Sequence, residues 1–371
     1  MLSWCFAVGA GIIGLPYALR QTGFVAGFLL IAFVSILTDK SLRIITELSK
    51  HPRLKPMKVE TFEHLASLAY NKPGEYFILL NMMIMAYGAM VAYLLIIKDT
   101  VPSLLKYDNG IERELVLFVT SLTVIFPIML KKDMSSLACT SLFSVLCDAI
   151  IVLFMIFRSP IGDTLEEDGG ISEVVLKKSI QPNLFTGLGI ISTAMACQHS
   201  CFIVYNSLER NTRARWATVT SSSLSVAFLL CAVFAVCGYL GFLDETYGDV
   251  LNNFSSQDNA ANFARLVRLL LFQVLRYFDT LIYAILLQLL AITMFLTYPM
   301  ESQVAKHVSF VLLGPEGEDS NSSKWLGRNS KISLFLYVSS LIPALIFDDL
   351  GPVLSFTGSL GGSSIAYIAP G

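Results

Sequence analysis

The segment from Gly9 to Pro16 constrains this chain more than any other, because three glycines and a proline lie inside an apolar stretch. Glycine and proline favour an interruption of a helix. In lipid, the backbone groups that an interruption releases must be received by protein or by a water-filled cavity. Released amides can bind a carboxylate and released carbonyls a cation. The alternative is a continuous helix whose glycines let another helix approach closely.

The composition indicates a polytopic membrane protein. The chain has 371 residues, of which 54% are hydrophobic and 15% charged, against about 25% charged residues in soluble domains. The net charge of −2, without a long basic run, gives no indication of a nucleic-acid partner. The seven cysteines fall in apolar segments without zinc-site spacing, so we predict neither a metal site nor a disulfide framework.

Hydropathy predicts ten membrane spans, because about 20 apolar residues cross a bilayer. Lys and Arg concentrate in the loops after spans two, four, six and eight, which predicts a cytosolic N-terminus. The loops at 158–183 and 243–265 then face outward. The spans lie near 2–19, 24–46, 76–97, 114–130, 138–157, 184–208, 217–242, 268–300, 332–347 and 350–370.

The sequence contains two glycosylation sequons, and the predicted topology places them on opposite sides of the membrane. Asn253 starts an outward-facing sequon, so a glycan is expected there. Asn321 starts a sequon on the cytosolic side and is expected to stay bare.

Span six carries a second set of interruption signals. Small and polar residues occupy its middle, and Gln198, His199 and Ser200 lie at membrane depth, where polar side chains are costly and usually functional. Transporters built from inverted repeats pair a broken helix in each half. Spans one and six, five apart, fit that pairing.

Four motifs resemble those of the amino acid/auxin permease superfamily, in particular its sodium-coupled neutral amino acid transporter branch. They are GAGIIGLPYA at 9–18, QHS followed by VYNSL within 198–208, GDVLNNF at 248–254 and TYPME at 297–301. The resemblance implies an all-α LeuT-like fold of two inverted five-helix repeats, about 2–157 and 184–370, within a single transporter domain at 1–371. It also implies secondary transport of amino acids.

The chain departs from the family pattern in several places. It begins at span one, and the family's eleventh span is missing after Gly371. Cys5 stands where the family commonly carries an asparagine as a sodium ligand, and a thiol is a poor ligand for a hard cation. The apolar stretch at 266–300 is too long for one untilted span. We interpret it as an insertion near 267–288, with an outward amphipathic helix as the alternative.

Candidate substrate-binding residues follow from the two interruptions. The amides around Gly9, Ala10, Gly11 and Ile12 are expected to bind a carboxylate, as at the N-terminus of a half-helix. The other candidates are Thr193 and Ala194 in span six and Tyr87 in span three.

Candidate ion-coupling residues are spread over spans one, five, six and eight. Hydroxyls of threonines can coordinate a cation, although threonine in membrane helices also bonds to its own backbone. A histidine with a pKa near 6.5 suits a proton relay, with a structural role as the alternative. A buried carboxylate is expected to be protonated or paired. The candidates are Cys5, Ala10, Asp148, His199, Thr293 and Thr297.

The resemblance and the candidate site together predict a secondary active transporter of neutral amino acids. Sodium ions or protons would be co-transported, and no other cofactor is expected. The partners are the amino acid and the lipid bilayer, in the plasma membrane or a lysosomal or vacuolar membrane. A transport-inactive sensor or scaffold is the alternative. An intramembrane enzyme is a weaker one, because no recognised order or spacing links the possible catalytic residues His199, Asp148, Ser200 and Cys201.

Overall fold

The structure is a computed structural model that consists of helices. The described residues contain no β-strand, in agreement with the all-α prediction. At residues 55, 104, 137–144, 163, 167, 203 and 269–287 the backbone is described without the side chains. The described residues are 11–52, 54–57, 59–105, 110–130, 137–167, 170–171, 173–174, 179–206, 208, 212–254, 269–314 and 327–370.

The helices follow the chain in this order: α1 (Gly11–Thr22), α2 (Phe24–Ser49), α3 (Phe62–Leu105), α4 (Gly110–Thr120), α5 (Phe126–Met129), α6 (Leu137–Arg158), α7 (Ile161–Glu167), α8 (Leu184–Met195), α9 (Cys201–Asn206), α10 (Arg213–Phe242), α11 (Leu269–Leu313), α12 (Arg328–Ile346) and α13 (Leu350–Thr357). A π-helical turn, Ser121–Ile125, joins α4 to α5, and two further π-helical turns, Gly358–Gly362 and Ser364–Ile368, continue α13.

Four of the described helices are long and apolar enough to cross a membrane. They are Phe24–Ser49, Phe62–Ser103, Arg213–Glu245 and Arg328–Ile346. On α2, Leu29, Phe33 and Ile36 are 57–61% exposed, as expected of side chains that face lipid. The full set of ten spans and the division into two five-helix repeats stay predictions.

Helices α3 and α11 exceed the length of a single crossing. Within α3, Asn71 has a φ of 58°, a left-handed conformation that asparagine tolerates better than most residues. This kink separates a short segment that begins at Phe62 from the span predicted at 76–97. Helix α11 is continuous from Leu269 to Leu313, so it covers the predicted span at 268–300. The insertion near 267–288 stays a prediction.

A buried lysine holds α3 against the end of α12. The ammonium of Lys98 donates hydrogen bonds to the carbonyls of Ala344 and Phe347, each at 3.2 Å. It also contacts Asp348 at 2.8 Å, but that carboxylate is largely exposed and adds little. Carbonyls at the end of a helix have no partner within the helix, and a cation there satisfies them. Lys98 is therefore a side-chain cap for α12.

We expect Lys98→Met to lower the free energy of unfolding by about 1–3 kcal/mol, because it leaves buried carbonyls without a donor. Thermal unfolding in detergent measures this as a lower midpoint. Lys40→Met, at an exposed lysine of α2, is the control and should leave the midpoint nearly unchanged. Equal midpoints for both variants would contradict the capping role.

The predicted outward loop after α10 contains a buried carboxyl. Asp249 is 5% exposed, and its Oδ1 accepts a hydrogen bond from the Leu251 amide at 2.9 Å. Burial raises the pKa of Asp249 to about 7, and the nearby Asp99 carboxylate adds to the increase in the pKa, while the Leu251 N–H opposes it. The folded chain therefore holds this proton more tightly than the unfolded chain.

Asp249 should make stability depend on pH. Its contribution is complete below about pH 4, the range of an unperturbed aspartate, and is lost as the pH rises through about 7. Asp249→Asn keeps an oxygen acceptor for the Leu251 amide and cannot ionise. We expect this variant to be more stable than the wild type at about pH 8, by up to about 4 kcal/mol, and similar at or below about pH 4.

Thermal unfolding across this pH range measures the difference. Asp244→Asn, at an exposed aspartate of the same loop, should keep the wild-type profile. A profile of Asp249→Asn that parallels the wild type would show that this carboxyl does not titrate as described.

Candidate functional site

The predicted interruption of span six is present. Helix α8 ends at Met195, and Ala196 is extended, with φ −77° and ψ 115°. The 3-10 turn Gln198–Ser200 follows, and α9 begins at Cys201. These residues are buried, so the interruption lies inside the protein, as irregular backbone at membrane depth must.

The residues of the interruption satisfy part of its backbone. Oε1 of Gln198 accepts a hydrogen bond from the Cys197 amide at 3.0 Å, and the Ser200 hydroxyl donates to the Cys197 carbonyl at 3.0 Å. In a continuous helix the Cys197 amide would donate to the Thr193 carbonyl. The Thr193 carbonyl is thereby released, which suits it to receive a ligand cation or ammonium group.

The beginning of α1 lies against this interruption. A methyl group added at Gly11 would overlap the Cα and Cβ of Ala194 at the end of α8. The absence of a side chain on Gly11 therefore permits the contact. Gly11 and Ile12 are buried there. The first described residues of α1 thus lie next to the C-terminus of α8, which is rich in carbonyls.

One part of the sequence interpretation is corrected here. The interruption expected within 9–16 does not extend over Gly11–Pro16, because α1 is helical from Gly11 and includes Pro16. Pro16 has no N–H, so the Ile12 carbonyl lacks the helical hydrogen bond that residue 16 would otherwise donate. Gly9, Ala10 and Cys5 lie outside the described residues.

Three predicted substrate contacts have other partners. The Thr193 hydroxyl lies 2.6 Å from the Leu354 carbonyl of α13 and donates toward it. Ala194 packs on Gly11. The Tyr87 hydroxyl donates to the Ser339 carbonyl of α12 at 2.6 Å. Thr193 and Tyr87 therefore join helices through their hydroxyls in this structure, and their roles as substrate contacts stay predictions.

The predicted ion-coupling residues fall into separate places. Thr293 and Thr297 are buried in α11, and each hydroxyl donates to the carbonyl one turn back, at 2.9 Å. These are the backbone bonds expected of threonine in membrane helices. Asp148 of α6 is 2% exposed, and its Oδ2 has no hydrogen-bond partner among the described residues. The structure does not bring Asp148 and His199 into one described cluster.

His199 lies in the interruption and faces Glu301 of α11. Its Nε2 is 3.4 Å from Oε1 of Glu301. Sequence reasoning missed Glu301, because it follows the predicted end of span eight at residue 300. The signal that could have found it is an acidic side chain one helical turn after Thr297, at the end of an apolar run.

The expected glycan at Asn253 does not fit this conformation. Asn253 is 4% exposed, its Nδ2 donates to the Glu245 carbonyl at 2.7 Å, and its Oδ1 accepts from the Tyr247 amide at 2.9 Å. A glycan on Nδ2 would remove this bond and needs space that a buried amide lacks. The glycan at Asn253 stays a prediction, and it would require this amide to leave its present contacts. Asn321 lies outside the described residues.

Comparison with known proteins decides the family. The family model described as "Transmembrane amino acid transporter protein" matches residues 2–371. The chain belongs to this family. This confirms the sequence-based resemblance and the membrane assignment, and because the family is one of transporters, it gives no support to the enzyme alternative.

Similar proteins carry transporter names. A rat protein named "Putative sodium-coupled neutral amino acid transporter 11" is 28% identical over 373 residues, covering 98% of this chain and 74% of the relative. Its human namesake is 26% identical over 363 residues, covering 95% and 79%. "Vacuolar amino acid transporter 2" of Saccharomyces cerevisiae is 26% identical over 386 residues, covering 98% and 72%.

For this transporter-family member, we expect Gly11→Ala to weaken amino acid binding about tenfold or more. The added methyl group forces α1 away from α8, and overpacking of this kind costs about 1–3 kcal/mol. Equilibrium binding of a radiolabelled amino acid to purified protein, checked for monodispersity, measures the effect. Gly110→Ala, where an added Cβ has no atom within 4 Å, is the control. Unchanged affinity in Gly11→Ala would separate this helix contact from the binding site.

Proposed function

We propose that this chain carries out secondary active transport of neutral amino acids across a membrane by alternating access, coupled to Na⁺ or H⁺. The observation that carries the proposal is the interruption at Ala196–Cys197 beside the beginning of α1. Interrupted helices of this kind form substrate sites in transporters with inverted repeats. The transporter names of the relatives support the same function.

The two helix ends suit the two charges of an amino acid. The amides at the beginning of α1, with Gly9 and Ala10 preceding it, would bind the carboxylate. The released Thr193 carbonyl and its neighbours at the end of α8 would bind the ammonium group. The flanking residues Ala194, Met195 and Ala196 are buried and carry no charge. This environment favours a substrate with an uncharged side chain.

Contacts on the predicted outer side suggest how the site would be closed there. Arg20 at the end of α1 donates to the Thr246 carbonyl at 2.9 Å. Gly248 in the same loop lies against Asp349 and Gly351 so closely that a methyl group would overlap them. Opening toward that side would require these contacts to separate, while the interruption supplies flexible backbone.

The coupling ion and the membrane belong to the same proposal. Thr293 and Thr297 keep oxygen lone pairs that could coordinate Na⁺, whereas Cys5 is a poor sodium ligand. Asp148 and His199 are candidates for carrying a proton. The name of the yeast relative supports a vacuolar membrane. The plasma membrane and a lysosomal membrane stay part of the proposal, as does the cytosolic N-terminus.

Uptake of labelled neutral amino acids into proteoliposomes tests the proposal. Vesicles with the wild-type chain should accumulate more substrate than protein-free vesicles when either a sodium gradient or a pH gradient is imposed. Accumulation requires the movement of substrate to be coupled to that of an ion down its gradient. Binding without uptake under every gradient would instead favour a sensor of the same fold. Absence of both would remove the proposal.

Cys5→Asn tests whether the cysteine at position 5, where the family commonly carries asparagine, affects sodium coupling. We expect sodium dependence to appear or increase in this variant, since an amide oxygen is a suitable ligand for a hard cation. Cys5→Ala, which removes the thiol without adding an oxygen, is the matched control. Sodium dependence that is equal in Cys5→Asn, Cys5→Ala and wild type would show that residue 5 does not select the ion.

A further inference from the structure

His199 and Glu301 form a buried pair between the interruption and α11. Their side chains are 2% and 13% exposed, and Nε2 of His199 lies 3.4 Å from Oε1 of Glu301. Among the described residues, neither ring nitrogen of His199 nor Oε2 of Glu301 has a hydrogen-bond partner of good geometry. Buried polar atoms in that condition are uncommon and call for a functional or structural explanation.

A single proton determines whether the charges of His199 and Glu301 compensate each other. With a proton on the imidazole, the cation and the carboxylate compensate each other in a site with little solvent. Without it, a neutral imidazole faces a buried carboxylate that has lost its counter-charge, which is costly. Proton release is therefore favourable only when the pair gains access to water. A structural pair with full hydrogen bonds would not be poised in this way.

Other titratable groups around the pair do not replace either partner. Cys197 and Cys201 flank His199 in the chain. From the end of span ten, Tyr367 approaches the interruption, and its hydroxyl is 3.3 Å from that of Thr38 in α2. Five residues along α11 from Glu301, the buried Lys306 donates to the Met129 carbonyl. Among the described residues, Glu301 is the charged group that acts on His199.

The position of the pair connects proton binding to conformation. His199 belongs to the 3-10 turn of the interruption, whereas Glu301 belongs to a long continuous helix that packs on α3. A movement of α8 and α9 relative to α11 changes the distance between the two side chains. A two-state element of this kind is biased by any ligand that binds one state better, including a proton.

We propose that His199 and Glu301 together hold the co-transported proton. The pair takes a proton from water on one side, remains closed while the interruption is buried, and returns the proton to water on the other side when the helices separate. No covalent bond other than N–H or O–H forms or breaks. This inference rests on the proposed transport function and specifies its coupling ion and its carrier.

The chain offers a control pair that has one partner on the same helix. Nε2 of His307 in α11 is hydrogen-bonded at 2.8 Å to Oε1 of Glu63 in α3, so the residue types are the same. Glu63 is 8% exposed, but the His307 side chain is 46% exposed, so this imidazole reaches solvent in the described conformation. Glu63→Gln therefore removes a His–Glu contact whose histidine is already accessible to water.

The experiment compares Glu301→Gln, His199→Gln and Glu63→Gln in proteoliposomes without sodium. Three rates are measured: exchange of labelled for unlabelled neutral amino acid, net accumulation driven by a pH gradient, and proton entry reported by a pH-sensitive dye inside the vesicles. Exchange requires the substrate site and the conformational change but no net proton movement, so it reports folding and function independently of coupling.

We expect Glu301→Gln and His199→Gln to retain exchange and to lose accumulation and amino-acid-dependent proton entry by roughly 5- to 150-fold, the usual range for loss of one coupling. Glu63→Gln should resemble wild type in all three rates. Wild-type accumulation or proton entry in either buried-pair variant would overturn the inference, as would loss of exchange and accumulation together in both variants. If the wild-type protein exchanges amino acids but shows no proton-driven accumulation, the inference is overturned while amino acid transport stands. If the wild-type protein shows no exchange, the transport function itself is removed.

Discussion

This structure depends on how the backbone between helices α8 and α9 satisfies its hydrogen bonds. A membrane protein cannot leave main-chain donors and acceptors bare in lipid. Here the Gln198 side chain accepts a hydrogen bond from the Cys197 amide, and the Ser200 hydroxyl donates one to the Cys197 carbonyl. These two side chains replace part of the helical bonding, so that the chain can interrupt span six without exposing all of its backbone. Only the groups that they do not satisfy are available to a ligand.

The close contact between α1 and α8 adds the second element of the site. Gly11 has no side chain, and the helix beginning there approaches Ala194 at the end of α8. Similar close contacts continue toward span ten, where Gly358 lies against Gly189 and Thr193. Small residues at these places bring main chain together. The first described residues of α1 and the end of α8 therefore meet at one buried place, which is where we propose that the amino acid binds.

The polar contacts outside the interruption are of two kinds, those that hold helices together and those that can change when helices move. Lys98 bonds the last carbonyls of α12, and Tyr87 bonds the Ser339 carbonyl, so both hold α3 to α12. Both side chains have hydrogen-bond partners, at 3.2 Å for Lys98 and 2.6 Å for Tyr87, as expected of fixed contacts. The contact of His199 with Glu301 is longer and incompletely bonded. That difference distinguishes a contact that can respond to a proton from contacts that maintain the fold.

The sequence by itself determined the membrane character, the family and the interruption of span six, because apolar length, small residues and buried polar residues are local properties. It also predicts a main-chain site near Gly11. It could not predict that Gly11–Pro16 is helical, since glycine and proline permit an interruption without requiring one. Nor could it find Glu301 opposite His199, the Thr193–Leu354 bond or the burial of Asn253. Those depend on which helices pack together, and residues a hundred positions apart become neighbours only through tertiary structure.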